Sequence, residues 1–205
     1  MNVAKCKYCR AAGQKLFLRG DRCFSQKCAM VRHATKPGVH GKKRGRPKSE
    51  YGTQLREKQN LRISYLLKEK QLSKYFKEVS NKADAGNLIL EKLERRVDNV
   101  VFRLGFAHSR KKAQQMVSHG HCMLNGRKIS VPSILLKKGD SIAIREQSRN
   151  NGLFKDIDAR LKAAPALSWV VYDNEKKEAR VVSSPTKEDL PKAFNMSLVV
   201  EYYSR

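Results

Sequence analysis

The sequence predicts an α+β fold assembled from several small parts, and three observations carry that prediction. Four cysteines gather within the first 28 residues, apolar residues recur at helical spacing between residues 50 and 104, and beyond residue 121 the spacing changes to alternation. A chain of 205 residues with 40% apolar content can fill one or two modest cores, which excludes wholesale disorder. The expected order is a cysteine-tied, extended N-terminal arm over residues 1–49 and a helical domain over 50–93. An inserted helix–hairpin module over 94–149 follows. Residues 150–205 form a small β-rich part, with a β-hairpin and a C-terminal strand, that completes the helical domain.

The arm has little periodicity and is punctuated by Gly13, Gly20, Pro37, Gly38, Gly41, Gly45 and Pro47. Its cysteines, Cys6, Cys9, Cys23 and Cys28, follow the pattern C-x2-C, thirteen residues, C-x4-C. Two short-range pairs joined by a loop let four thiolates converge tetrahedrally on one Zn²⁺. Lys5, Lys7, Arg10, Arg22 and Lys27 surround them and favour the thiolate form. Four protein ligands leave no position open for water, so the expected Zn²⁺ is structural. Reduced structural cysteines, disulfides and iron–sulfur ligation are the competing readings. Cys122 stands apart on an apolar strand position and reads as core packing.

From Glu50 the chain turns helical, and Leu72, Tyr75, Phe76 and Val79 form one apolar stripe. Ile89, Leu93, Val97, Val100, Val101 and Leu104 predict a second long helix that Gly105 closes. Ser109 is positioned to cap a short helix with Ala113, Met116 and Val117 facing inward, ended by Gly120. Asn125-Gly126 between alternating Cys122, Leu124, Ile129 and Val131 is a hairpin signal. A further strand covers 141–145, a second hairpin pairs 169–172 with 179–182, and 198–202 reads as the last strand.

Charge narrows the function. Forty-four Lys and Arg face nineteen Asp and Glu, leaving +25, an excess that calls for an anionic partner. Residues 1–50 carry 14 basic and 2 acidic side chains, residues 94–149 carry 12 and 4, and residues 150–205 carry 9 and 8. The two basic segments are therefore the expected nucleic-acid surface, and the nearly neutral tail is expected to serve packing or protein contact. No apolar run approaches the ~18 residues a membrane span needs, and residues 1–9 carry Lys and Cys where a signal peptide would be apolar. A reducing, cytoplasmic setting is expected.

Two features point to phosphate. Lys42, Lys43, Arg44 and Arg46 belong to a Gly-broken patch too charged to fold alone; its Arg-Gly-Arg-Pro core also matches an AT-hook weakly. Ser109-Arg110-Lys111-Lys112 places cations at a helix N-terminus, where free backbone amides already attract anions and cations oppose the helix dipole. His119-Gly120-His121 and Asn125-Gly126-Arg127-Lys128 add further polar and basic groups at turns.

At these residues the chain resembles a known family. Tyr51-Gly52-x-Gln54-Leu55-Arg56-Glu57-Lys58-Gln59 matches it, as does the run Leu93-Glu94-Arg95-Arg96-Val97-Asp98-Asn99-Val100-Val101-Phe102-Arg103-Leu104-Gly105-Phe106-Ala107. So do Ser109-Arg110, Val117-Ser118-His119-Gly120-His121, Asn125-Gly126-Arg127 and the closing Val200-Glu201-Tyr202-Tyr203-Ser204-Arg205. Together, and in order along essentially the whole chain, they resemble the bacterial small-subunit ribosomal protein four family in its zinc-carrying form. The chain departs from the family pattern in the 41–48 patch and at Asp84-Ala85-Gly86-Asn87.

The resemblance implies a structural component of the small ribosomal subunit. Such a protein binds small-subunit rRNA at a multi-helix junction, nucleates assembly of the subunit body, neighbours proteins five and three near the mRNA entrance, and affects decoding accuracy. It would sit in the cytoplasm on the ribosome, without a membrane partner and without forming a homo-oligomer. The 94–149 segment would be its RNA-binding module. The implied contacts are the patch lysines and arginines, then Tyr51, Arg56 and Lys58, then Arg95, Arg96, Ser109, Arg110 and Lys111, and finally His119, Gly120, His121, Asn125, Arg127 and Lys128. An RNA-modifying enzyme and a zinc-and-AT-hook DNA regulator are the alternatives. The first lacks a paired-carboxylate pocket, a nucleophile elbow or a dinucleotide fingerprint, so no enzymatic activity is expected.

Overall fold

The structure is a computed structural model that describes residues 5–42, 47, 49–149, 151–154 and 157–205. The chain divides into two compact units: Met1–Gly86 with Lys192–Arg205, and Asn87–Pro191. Residues 150–205 are thus shared between them.

In the first unit the arm is helical rather than extended. It forms α1 (Lys5–Ala12), a 3-10 turn (Gly20–Cys23) and α2 (Ala29–Arg32). The reason is local burial: Cys9, Leu16 and Leu18 are buried together, with Ala12, Met30, Ile63 and Leu66 packed on them. Apolar residues this few show no period in the sequence, yet they suffice to fold the segment back on itself. Next come α3 (Glu50–Ser64), capped by Ser49 Oγ accepting the Gly52 N–H at 3.2 Å, and α4 (Glu69–Lys77). The α4 stripe is realised, with Leu72, Phe76 and Val79 buried.

The expected C-terminal strand is instead a helix, α10 (Met196–Ser204), numbered last among the helices of the described residues. Asn195 Oδ1 caps it by accepting the Leu198 N–H at 3.4 Å. Val199 is fully buried, and Tyr203, four residues on, stacks on Phe76 with ring centroids 4.2 Å apart. A short run of β-branched and aromatic residues cannot by itself separate strand from buried helix, and here packing along α3 and α4 decides.

The second unit begins within α5 (Ala85–Glu94) and continues through α6 (Val97–Arg103) and α7 (Arg110–Ser118). The single long helix expected from residue 89 to 104 is broken at Arg95 and Arg96. There the backbone is extended: the Val97 N–H donates to the Ile134 carbonyl and the Leu136 N–H to the Arg95 carbonyl, both at 2.9 Å. The apolar stripe survives the break because both halves bury Leu93, Val97, Val100 and Val101 completely. Gly105 closes α6 as expected, at φ +84°.

A five-stranded antiparallel sheet completes the unit in the order β2-β1-β3-β5-β4. Its strands are β1 (Cys122–Leu124), β2 (Arg127–Ile129), β3 (Ser141–Ile144), β4 (Val170–Asp173) and β5 (Glu178–Val181). The Cys122↔Ile129 and Cys122↔Ile144 register puts these side chains and Leu124 and Ile142 on one face, toward α6 and α7. The second hairpin adds β5 to β3, through Ile142↔Ala179, so the sheet runs continuously into the tail. Trp169, Ile142, Ala179 and Leu136 seal the core, each no more than 1% exposed. Short helices α8 (Glu146–Arg149) and α9 (Ile157–Ala163) connect β3 to β4.

Candidate nucleic-acid interface

The start of α7 is built from the core outward. Ser109 is buried and its Oγ accepts the Lys112 N–H at 3.3 Å, which caps the helix. Arg110 is held from behind: its Nε donates to Asn99 Oδ1 at 2.8 Å, and its guanidinium lies 4.8 Å from the Phe102 ring centroid. Asn99 is fixed in turn by donating from Nδ2 to Glu94 Oε2 at 2.9 Å. Glu94, 1% exposed, receives Arg103 on both oxygens, at 2.9 and 3.1 Å. Arg103, Glu94, Asn99 and Arg110 therefore form one relay that presents Arg110 at the helix N-terminus. Lys111 and Lys112, half-buried, stand beside it.

The hairpin supplies the second group of cations. Asn125 and Gly126 take φ +49° and +76°, the left-handed pair that a tight two-residue turn requires. The Asn125 side chain pins this tip to the start of β3, donating to Asp140 at 2.8 Å and accepting the Ser141 N–H at 2.8 Å. Arg127 and Lys128 emerge exposed from this rigid support. Lys128 lies across Gly120, whose φ of +73° is a backbone conformation that residues with a side chain rarely adopt.

His121 sits where these elements meet. Its Nδ1 is 3.0 Å from Ser148 Oγ, and its ring meets Phe154 edge-on at 6.0 Å. Burial holds its pKa below the ordinary imidazole value, and the neighbouring His119, Lys112, Arg145 and Lys128 push the same way. The Arg145 N–H pairs with the His121 carbonyl at 2.9 Å and the Lys128 side chain lies against Gly120, so cations from β2 and the end of β3 stand beside His121, whose ring also feels Lys112 near the start of α7.

The sequence matches the ribosomal protein S4/S9 N-terminal domain over residues 2–95 and the S4 domain over residues 95–142. It is 45% identical to the small ribosomal subunit protein uS4 of Syntrophomonas wolfei over 98% of this chain and 96% of that protein. The uS4 proteins of Thermus thermophilus (45%) and Halothermothrix orenii (44%) align over the same 98% of this chain and 96% of their own length. The chain belongs to the uS4 family. This is a family of structural, non-enzymatic proteins.

In this uS4 chain several of the expected contact residues serve the fold. Arg96 is a correction: it is 2% exposed and pairs with Asp98 through Nε at 3.0 Å and Nη2 at 2.7 Å, out of reach of a surface ligand. Lys58 is another, 3% exposed, bound to Glu69 at 2.8 Å and lying 4.3 Å from the Tyr202 ring centroid. Hydrogen bonds from Lys58 and Tyr203 hold the Glu69 carboxyl below its usual range although its partial burial raises it. Ser109 and Asn125 act as cap and turn, and Arg95 donates to the Leu136 carbonyl at 2.9 Å and to Glu91 at 3.2 Å. Arg56 donates to the Ala12 carbonyl, and Tyr51, exposed, tilts against Tyr202 at 5.7 Å. Lys42 is exposed, and Lys43, Arg44 and Arg46 lie outside the described residues.

Lys112 was read from the sequence with Arg110 and Lys111 as a cation at the start of α7, but Arg145 escaped: it follows a strand and carries no motif, and only the pairing of its N–H with the His121 carbonyl, at 2.9 Å, brings it here.

Cys6, Cys9, Cys23 and Cys28 line one cavity of about 10 Å³ together with Leu18, Arg19 and Met30. All four are free thiols, which sets aside the disulfide reading for this structure. The Arg19 N–H donates to Cys23 Sγ at 3.3 Å, and the Leu16 backbone hydrogen-bonds Cys9. Burial raises the pKa of both thiols. Among the described residues no group of three or more His, Cys, Asp and Glu side chains stands in metal-holding geometry. The donor type and the shared cavity suit a soft divalent metal. Cys122 is wholly buried and its thiol is pushed up to about 12, consistent with core packing.

Proposed function

We propose that this chain is a structural component of the small ribosomal subunit that binds small-subunit rRNA through the second unit. The observation that carries the reading is the set of cations on a rigid support: Arg110 aimed by its relay, Arg127 and Lys128 on a pinned hairpin, and Lys112 and Arg145 beside them. Such a surface positions phosphates and reads the shape of folded RNA, whose deep major groove excludes side chains. The proposal extends, on the family resemblance of the sequence, to a place at a multi-helix junction of that rRNA in the cytoplasmic ribosome. There it nucleates assembly of the subunit body beside proteins five and three, near the mRNA entrance, where it affects decoding accuracy. No helix of the described residues is long and apolar enough to cross a membrane.

The test is competition. Purified chain bound to labelled small-subunit rRNA should resist displacement by duplex DNA of equal phosphate content at fixed salt; equal competition by the two would overturn the reading.

The reading includes one structural Zn²⁺ on Cys6, Cys9, Cys23 and Cys28, supported by their spacing, their common cavity and the N–H donors on two of the sulfurs. Bound there, zinc would supply folding energy to the arm, about 10–16 kcal/mol by analogy with small zinc-binding peptides. Elemental analysis should find one zinc per chain, and chelation should unfold residues 5–32 while the Trp169 fluorescence of the second unit stays native. Metal-free protein with an intact arm would contradict it.

A further inference from the structure

His121 is the centre of a site with more structure than a solvated basic face. Ser148 on α8 engages Nδ1 and Phe154 fixes the ring edge, so Nε2 is the nitrogen not spent on Ser148. The charges acting on the ring are His119 beyond α7, Lys112 within it, Lys128 from β2 and Arg145 from the end of β3. The acid of α8, Glu146, lines an adjoining groove with Arg145, Arg149 and Gly126. The Lys128 side chain lies against Gly120, next to His121 in the chain. A group of cations this concentrated repels itself, and an anion relieves the repulsion.

We propose that His121, Lys112, Lys128 and Arg145 form a phosphate-binding cluster whose imidazole takes up a proton when RNA binds, so that the affinity for rRNA is linked to pH. The proposal rests on the rRNA-binding reading above. Without RNA, burial and then the neighbouring charged groups hold the half-buried imidazole below its ordinary value, which favours the neutral ring. A phosphate within hydrogen-bonding reach reverses the sign of the local field, and the imidazolium becomes both a donor and a counter-charge. The proton comes from solvent and binds Nε2. Because the bound-state pKa then lies above the free-state pKa, affinity is greatest below the free value and falls as pH rises through the bound value.

The experiment measures the association constant of the full chain for full-length small-subunit rRNA at constant ionic strength, between about pH 5.5 and 8. Affinity should fall by up to about tenfold per pH unit within that window. His121→Gln should flatten the dependence, measured against His33→Gln, an exposed histidine of the other unit, which should keep it. A readout free of any variant is proton uptake by the wild-type chain on mixing with rRNA in weakly buffered solution, approaching one proton per chain. A pH-independent wild-type affinity without proton uptake overturns the proposal, as does an unchanged pH slope in folded His121→Gln. Wild-type chain that shows no preference for rRNA over duplex DNA at any pH instead overturns the parent reading.

Discussion

Arg96 and Arg110 carry the same charge in the same basic segment, yet one is core and the other surface. Arg96 closes on Asp98, which also accepts the Asn99 N–H at 2.9 Å and Gln114 at 3.3 Å, so the carboxylate knits α6 to α7. Arg96→Met should cost about 3–5 kcal/mol in urea unfolding, because it leaves a buried carboxylate without its cation. The salt dependence of RNA binding by the folded variant should remain that of the wild type; a reduced slope would return Arg96 to the interface. The sequence counts the cations but does not show which of them find a carboxylate in the fold. Lys58 illustrates this: its partner Glu69 lies on a different helix, and the tyrosines that enclose it come from the far end of the chain.

Elements whose geometry is written within a few residues were legible. Ser109 capping α7 and Asn125-Gly126 turning the hairpin need only their own backbone requirements. The 141–145 strand and the 169–182 hairpin follow from alternation. Elements set by distant packing were not. The break at Arg96 depends on a backbone bridge to Leu135, and α10 is helical because α3 and α4 offer a surface for Val199 and Tyr203. Deleting residues 192–205 would uncover Phe76, Lys58 and Gln54, the last of which donates to Glu201 at 3.0 Å. The truncated chain should lose the first unit's helical circular-dichroism signal at lower urea while the Trp169 fluorescence transition of the second unit stays in place. Coincident shifts of both probes would mean that the tail helix serves the two units alike.

At the scale of the whole molecule, a net charge of +25 is sustained by distributing cations over two units and leaving the tail nearly neutral. The candidate interface was legible in outline, as Arg110, Lys111, Arg127 and Lys128, since its phosphate logic lies in local sequence. Its completion by Arg145 beside His121 was not, since the pairing of β1 with β3 brings Arg145 there. The central claim is that these cations hold RNA phosphate. It is tested most directly by the salt dependence of rRNA binding for the Arg110→Ala, Lys111→Ala, Arg127→Ala triple variant. Each phosphate contact adds about 0.7 to 0.9 to the slope of log affinity against log salt, so the variant's slope should be shallower by roughly two to three units. Met116→Ala is the control: at 2% exposure it should lose about 2–5 kcal/mol of stability and keep the wild-type slope. A folded triple variant that binds small-subunit rRNA with the wild-type slope would contradict the account and move the interface away from α7 and its hairpin.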